Sequence, residues 1–140
     1  MKYSEDIIHH LNHHSSGWID WNLALDERGG PNWAHNYVDS PVIINANDQE
    51  FYLQPMYWHM VHFSKLLEKG STVIDYQIFD NHNIFLKNKK VKFSVVERLD
   101  GSFCITVLNT DTKSYSVFIE NIAATVMIEA ESLYSFVFWI

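Results

Sequence analysis

The sequence is short of the residues that staple or break chains. In 140 residues there is one cysteine, Cys104, with three prolines and five glycines. A single thiol excludes an internal disulfide and a zinc site built on cysteines. Cys104 lies in an apolar strand pattern and reads as a small packed hydrophobe. No apolar run approaches the roughly 18 residues that cross a bilayer. The opening MKYSEDIIHHLNHH lacks the apolar stretch and the small-residue cleavage site of a signal peptide. Positive charge is scarce as well: ten Lys and Arg stand against seventeen Asp and Glu, a net charge of −7. Nucleic acid and anionic membrane are therefore poor partners, since both require a basic patch. The one basic cluster, Lys87-Asn88-Lys89-Lys90, reads as a solvated turn.

Several catalytic signatures are missing too. There is no G-x-S-x-G elbow, no phosphate-cradling glycine loop before a helix, and no H-E-x-x-H. His9 with His13, and His10 with His14, are four apart, and His59 with His62 three apart; a helix could aim such pairs at a metal. Neither set has a further ligand at a defined offset, so helix-end and packing roles suffice and no cofactor is expected.

What the chain has in quantity is apolar and aromatic surface, 47% hydrophobic and 15% aromatic, with five tryptophans. Such content serves a core, or a surface that stacks on flat apolar faces such as sugars. Tyr3, Ile7, Ile8 and Leu11 repeat at helical spacing, predicting a helix over residues 2–14 that Gly17 ends. Residues 18–25, WIDWNLAL, read as a strand buried on both faces. A loop follows, broken by Gly29-Gly30-Pro31, then a short apolar run at 42–44 and a polar loop at 45–50. Pro55 suits the first turn of a second helix, carrying Met56, Met60, Phe63 and Leu67 on one stripe, with Gly70 as its C-cap.

Beyond residue 70 the pattern changes to short runs of β-formers, at 73–79, 91–98, 102–109, 115–120, 125–129 and 133–139. Asp100-Gly101 is a hairpin signal between two of them. Phe93 and Val95 alternate with Ser94, and Phe103, Ile105 and Val107 with Cys104 and Thr106. This is the signature of an antiparallel sandwich, with the division from the first part near residues 70–72. The first part poses a difficulty, because one strand and two helices cannot make a parallel sheet. An unflanked strand at 18–25 would leave backbone groups unpaired, a liability for aggregation.

Paired carboxylates are the plausible chemistry, since glycoside cleavage needs two across a cleft. Most acidic residues here lie in turns or at element ends. Asp20 alone stands inside an apolar run, where it is either a structural acceptor or a reactive group. Trp21, Asn22, Trp33, Asn36 and Tyr37 could together form a sugar surface, the indole stacking and the amides meeting hydroxyls.

GWIDWNLAL, GGPNW, NYVDSP and FYLQPMYWHMVHFSK closely resemble the C-terminal part of glucosylceramidases, the acid β-glucosidases of glycoside hydrolase family 30. The likeness continues more loosely through LDGSFCITVLN to SFVFWI. It implies an α+β piece: the last helix–strand–helix of a (β/α)8 barrel over residues 1–70, then a β-sandwich domain over 71–140. It also implies retaining hydrolysis of glucosylceramide to glucose and ceramide, a reaction of sphingolipid metabolism. Trp21 would contact the sugar, and Asn36, Tyr37 and Val38 would line the mouth of the site. Tyr37 stands where relatives often carry phenylalanine, and His35 where many carry arginine. The family's two catalytic glutamates belong to barrel strands four and seven, and no glutamate here takes their place. The chain is accordingly expected to be inactive alone, with a separate barrel chain as a possible complement. Lysosomal or secreted residence is implied by the family only. A reading from another class is a non-catalytic carbohydrate- or protein-binding sandwich module.

Overall fold

The computed structural model describes residues 1–79 and 90–140; most of the basic cluster therefore lies outside the described residues. The order is α1 (Lys2–Asn12), β1 (Ala24–Asp26), β2 (Val42–Asn45), β3 (Glu50–Leu53), α2 (Pro55–Ser64) and β4 (Thr72–Val73), then β5 (Val91–Glu97), β6 (Phe103–Asn109), β7 (Tyr115–Ile119), β8 (Ala124–Ile128) and β9 (Ser132–Phe138). Three sheets result, ordered β1-β2-β3, β4-β5-β6-β9 and β7-β8. The fold is α+β, and apart from the parallel β1–β2 pair every ladder is antiparallel.

The four-stranded sheet is the middle layer. Side chains alternate faces along a strand, and β6 shows it at its centre: Val107 and Leu108, both fully buried, enter different cores. On one face Val107 joins Val91 and Phe93 of β5 and Ile128 of β8, so the β7–β8 ribbon closes a sandwich. On the other face Leu108 joins Ile7 and Ile8 of α1 and Phe63 of α2, with Leu133 of β9 packed alongside. Polar links pin the helices to the same face. The Lys92 ammonium pairs with Glu5, and the Asn12 amide donates to the carbonyl of Phe93 at 2.7 Å. His62 Nδ1 lies 2.9 Å from Ser135 Oγ of β9.

Several sequence expectations are corrected. The strand over residues 18–25 survives only as β1, because that ladder forms where a neighbour exists, and β2 reaches no further back than Ala24. The run at 73–79 is a strand only over Thr72–Val73, with one further bond from the Ile74 N–H to the Val95 carbonyl. Residues 45–50 are not all loop, since Glu50 opens β3, which pairs along the whole of β2. The second helix stops at Ser64 with Lys65 as its C-cap. Gly70 therefore caps no helix; its φ of +98° belongs to a turn closed by the bond from Ser71 N–H to Glu68 C=O. The first helix likewise ends at Asn12 with His13 as its C-cap, before Gly17. The Asp100-Gly101 hairpin is present, with Gly101 at φ +76°, and the Asp100 carboxylate accepts from the Ser102 N–H and hydroxyl.

Because Leu108 fills the seam between helices and sheet, Leu108→Ala should destabilise the chain by about 2–5 kcal/mol. Phe118→Ala, on the exposed side of the ribbon, should change stability by no more than about 0.5 kcal/mol. Urea unfolding of both variants checks the contrast.

Candidate functional site

The candidate site comprises the segment leading into β1 and the loop that follows it. Residues 18–23 form no ladder, yet their burial alternates one by one. Trp18, Asp20 and Asn22 face the body of the molecule. Ile19, Trp21 and Leu23 face out, at 93%, 85% and 71% exposure. The inward side is fixed by α1. Trp18 donates its indole N–H to Asp6 at 2.7 Å and meets the ring of Tyr3 edge-on at 5.5 Å. Tyr3 donates its hydroxyl to Asp20 at 3.0 Å, and the other oxygen of Asp20 accepts the Trp21 N–H at 2.8 Å. Burial and the Asp20 carboxylate push the Tyr3 phenol up to about 12. Asp20 is thus a structural acceptor that clamps the backbone of Trp21 to the first helix.

The loop from Glu27 to Pro41 is organised by its own side chains. Asp26 closes its start: one carboxylate oxygen accepts the N–H groups of Arg28 and Gly30 at 2.8 and 2.7 Å. Those backbone donors hold its carboxyl below the usual carboxylate range. Gly29, at φ +79°, lies so close to the returning chain that a Cβ there would sit 2.6 Å from the carbonyl oxygen of Val38. Asn32 spans the middle: its Oδ1 accepts from Ala34 N–H at 2.9 Å and Asn36 N–H at 3.2 Å, and its amide donates to the Asn36 carbonyl. Gln54, capping α2, ties down the far end through Asp39 and the Ser40 carbonyl.

The loop therefore holds Asn36, Tyr37 and Val38 in one irregular run, with the Tyr37 ring 6.2 Å from that of His35. Trp33 projects beside them at 96% exposure. Trp21 stands apart from this group, with no hydrogen bond or ring contact to it among the described residues. Asn32 is not among the candidate residues read from sequence; its signal is an Asn after the glycine–proline breaker, a residue type that bonds its own downstream backbone.

Carboxylates around the loop are already engaged. Asp20, Asp26 and Asp39 each accept backbone N–H groups, an arrangement suited to shaping a loop. Among the described residues no group of three His, Cys, Asp or Glu could hold a metal. His59 and His62 serve the helix layer: His59 Nδ1 lies 2.7 Å from the hydroxyl of buried Ser4, and His62 meets Ser135. His9 and His13 stack on the exposed end of α1 with ring centres 4.1 Å apart. Cys104 is buried, which raises its thiol.

Residues 1–67 match the glycosyl hydrolase family 30 TIM-barrel domain. The chain is 60% identical over 79 residues to Putative glucosylceramidase 3 of Caenorhabditis elegans, covering 56% of this chain and 15% of that protein. It is 38% identical over 121 residues to the lysosomal acid glucosylceramidase of Mus musculus, covering 86% of this chain and 22% of the relative. The chain is a glucosylceramidase-like member of glycoside hydrolase family 30. It spans about a fifth of the length of these relatives. Two solved structures share its fold: SrfJ from Salmonella typhimurium, with TM-score 0.85 and 21% identity, and an endo-β1,6-glucanase, with TM-score 0.79 and 22% identity. Each covers 99% of this chain, which in turn covers 30% and 31% of theirs.

Two outcomes follow for this family member. Burial holds both His59 and His62 below the ordinary histidine value of 6.5. The unfolded state then binds protons that the native state refuses, so stability is complete above about pH 6.5 and falls as the pH drops below it. The urea midpoint should decrease from pH 7.5 to 5.5, and less so in His59→Gln/His62→Gln. Gly29→Ala forces both a left-handed backbone and a contact with Val38. It should cost about 1–3 kcal/mol, with NMR shift changes concentrated at residues 36–39.

Proposed function

We propose that this chain is the closing portion of a glucosylceramide-hydrolysing enzyme, with residues 1–70 completing a (β/α)8 barrel and 71–140 forming the sandwich packed against it. The observation that carries this is the 60% identity over 79 residues to Putative glucosylceramidase 3. In the assembled enzyme the chemistry is retaining cleavage of a β-glucosidic bond. One carboxylic acid protonates the leaving oxygen while a second carboxylate, about 5–5.5 Å away, forms the glycosyl-enzyme intermediate that water then releases.

Both reactive carboxylates come from the barrel strands that these 140 residues do not supply. This portion contributes binding. Trp21 offers an indole face to the sugar ring, and Asn36, Tyr37 and Val38, in the loop that Asn32 braces, line the pocket mouth. The bare state of Trp21 supports that role, since a stacking wall must be free of other packing. The substrate is glucosylceramide or a related β-glucoside, and the working compartment is the lysosome or the secretory route, as the name of the mouse relative suggests. A barrel chain supplied separately would complement this one.

The 140-residue chain alone should show no turnover of a fluorogenic β-glucoside above buffer. Residues 1–67, the span that matches the family model, exchanged for their counterpart in the Caenorhabditis elegans relative, should sustain glucosylceramide hydrolysis. Trp21→Ala in that chimera should then lower kcat/KM by about ten- to a hundredfold, in line with the loss of one aromatic contact of about 1–3 kcal/mol. A folded chimera without hydrolysis, or one indifferent to Trp21→Ala, counts against the proposal.

A further inference from the structure

Three histidine pairs stand three or four residues apart in this chain, and the fold gives them different surroundings. His14 sits at φ +64°, already off the helix, so His10 and His14 no longer share a helical face. His10 is also turned to its neighbours, with Nε2 3.6 Å from Asp6 and Nδ1 3.4 Å from Ser15 Oγ. His59 and His62 reach different hydroxyls, those of Ser4 and Ser135. His9 and His13 are left. Both are exposed, on the side of α1 away from buried Ile7 and Ile8. Their ring centres lie 4.1 Å apart, with the planes tilted by 36°.

A hydrogen bond beside this pair fixes which nitrogen is free. His13 Nδ1 lies 2.7 Å from the carbonyl oxygen of His9. A carbonyl only accepts, so Nδ1 carries the hydrogen and the lone pair of the neutral ring is on Nε2. Metal-binding histidines are held in the same way: the second nitrogen donates to a carbonyl, which orients the ring and makes the ligating nitrogen more basic. The ring nitrogens of His9 enter no hydrogen bond among the described residues. Beneath the pair, Ile7 and Ile8 lock α1 into the core with Leu108, so both rings project from a rigid base.

Rings this close can share one ion through metal–nitrogen bonds of about 2.0–2.1 Å. We propose that His9 and His13 form a binding site for a divalent transition-metal ion of the zinc, copper or nickel type, which imidazole ligands suit. No third protein ligand joins them among the described residues, so water completes the coordination and the ion exchanges readily. Half the ligand set of a structural zinc site corresponds to a dissociation constant of roughly 1–200 µM. Calcium and magnesium, which select oxygen ligands, are not expected to compete. The site needs only α1 and stands independently of the proposed hydrolysis.

Titration of the full, untagged 140-residue chain with zinc chloride tests this, followed by calorimetry and by nitrogen NMR of the histidine rings. One ion per chain is expected, shifting the Nε2 signals of His9 and His13 while His13 Nδ1 keeps its proton. His9→Gln and His13→Gln should each weaken binding by about tenfold or more, whereas His10→Gln/His14→Gln should leave it within about twofold. The ring signals of the parent chain give the answer even where a variant misfolds. Absence of binding up to about 1 mM zinc, or shifts confined to other histidines, would overturn the proposal. So would an equal loss in His10→Gln/His14→Gln, or displacement of zinc by equimolar calcium.

Discussion

Everything in this molecule hangs on β6 having two apolar faces. Val107 and Leu108 are neighbours in sequence and both fully buried, yet they belong to separate cores. A sheet that is apolar on one side only could hold either the ribbon or the helices. Being apolar on both, it holds the two at once, and α1 becomes a fixed wall. From that wall Tyr3 and Asp6 reach out to clamp residues 18–21. The placement of Trp21 is thus decided in the middle of the sandwich, through a helix, rather than by strand pairing of its own.

The same chain of support explains why polar groups are tolerated near the seam. Ser4, Ser94, Thr106 and Asn109 are buried, and three of them are partnered. Ser4 meets His59, and Thr106 lies 3.2 Å from Ser135, which in turn meets His62. Asn109 donates to the carbonyls of Lys113 and Glu129 and accepts from Asp111 N–H, stitching the end of β6 to both neighbouring turns. Hydrogen-bonded burial of this kind adds little net stability but makes alternatives costly. It selects one packing of helices on sheet.

The sequence disclosed the later strands well because their signals are local. Alternation through Phe93-Ser94-Val95 and the Asp100-Gly101 turn need no partner to be read. Other elements depended on what lies beside them. Residues 18–25 have the composition of an enclosed strand, but a ladder requires a neighbour, and β2 gives one only from Ala24 onward. β3 escaped notice because Glu50, Phe51, Tyr52 and Leu53 are all exposed, leaving no period of two to detect. The second helix looked longer than it is because Leu66 and Leu67 extend the apolar stripe past the point where the backbone turns away. In the candidate site, the side chains named from sequence were Trp21, Asn36, Tyr37 and Val38. The residues that hold the loop, Asn32 and Gly29, became visible only through bonds to backbone distant in order.

The loop after β1 has a property that reaches beyond this protein. Asp26, Gly29 and Asn32 fold it using contacts confined to its own dozen or so residues, with Gln54 fastening the exit. Its shape is therefore stored locally and owes little to the surrounding scaffold. A segment of that kind behaves as a portable cassette. Its tip residues can be exchanged without renegotiating the architecture underneath.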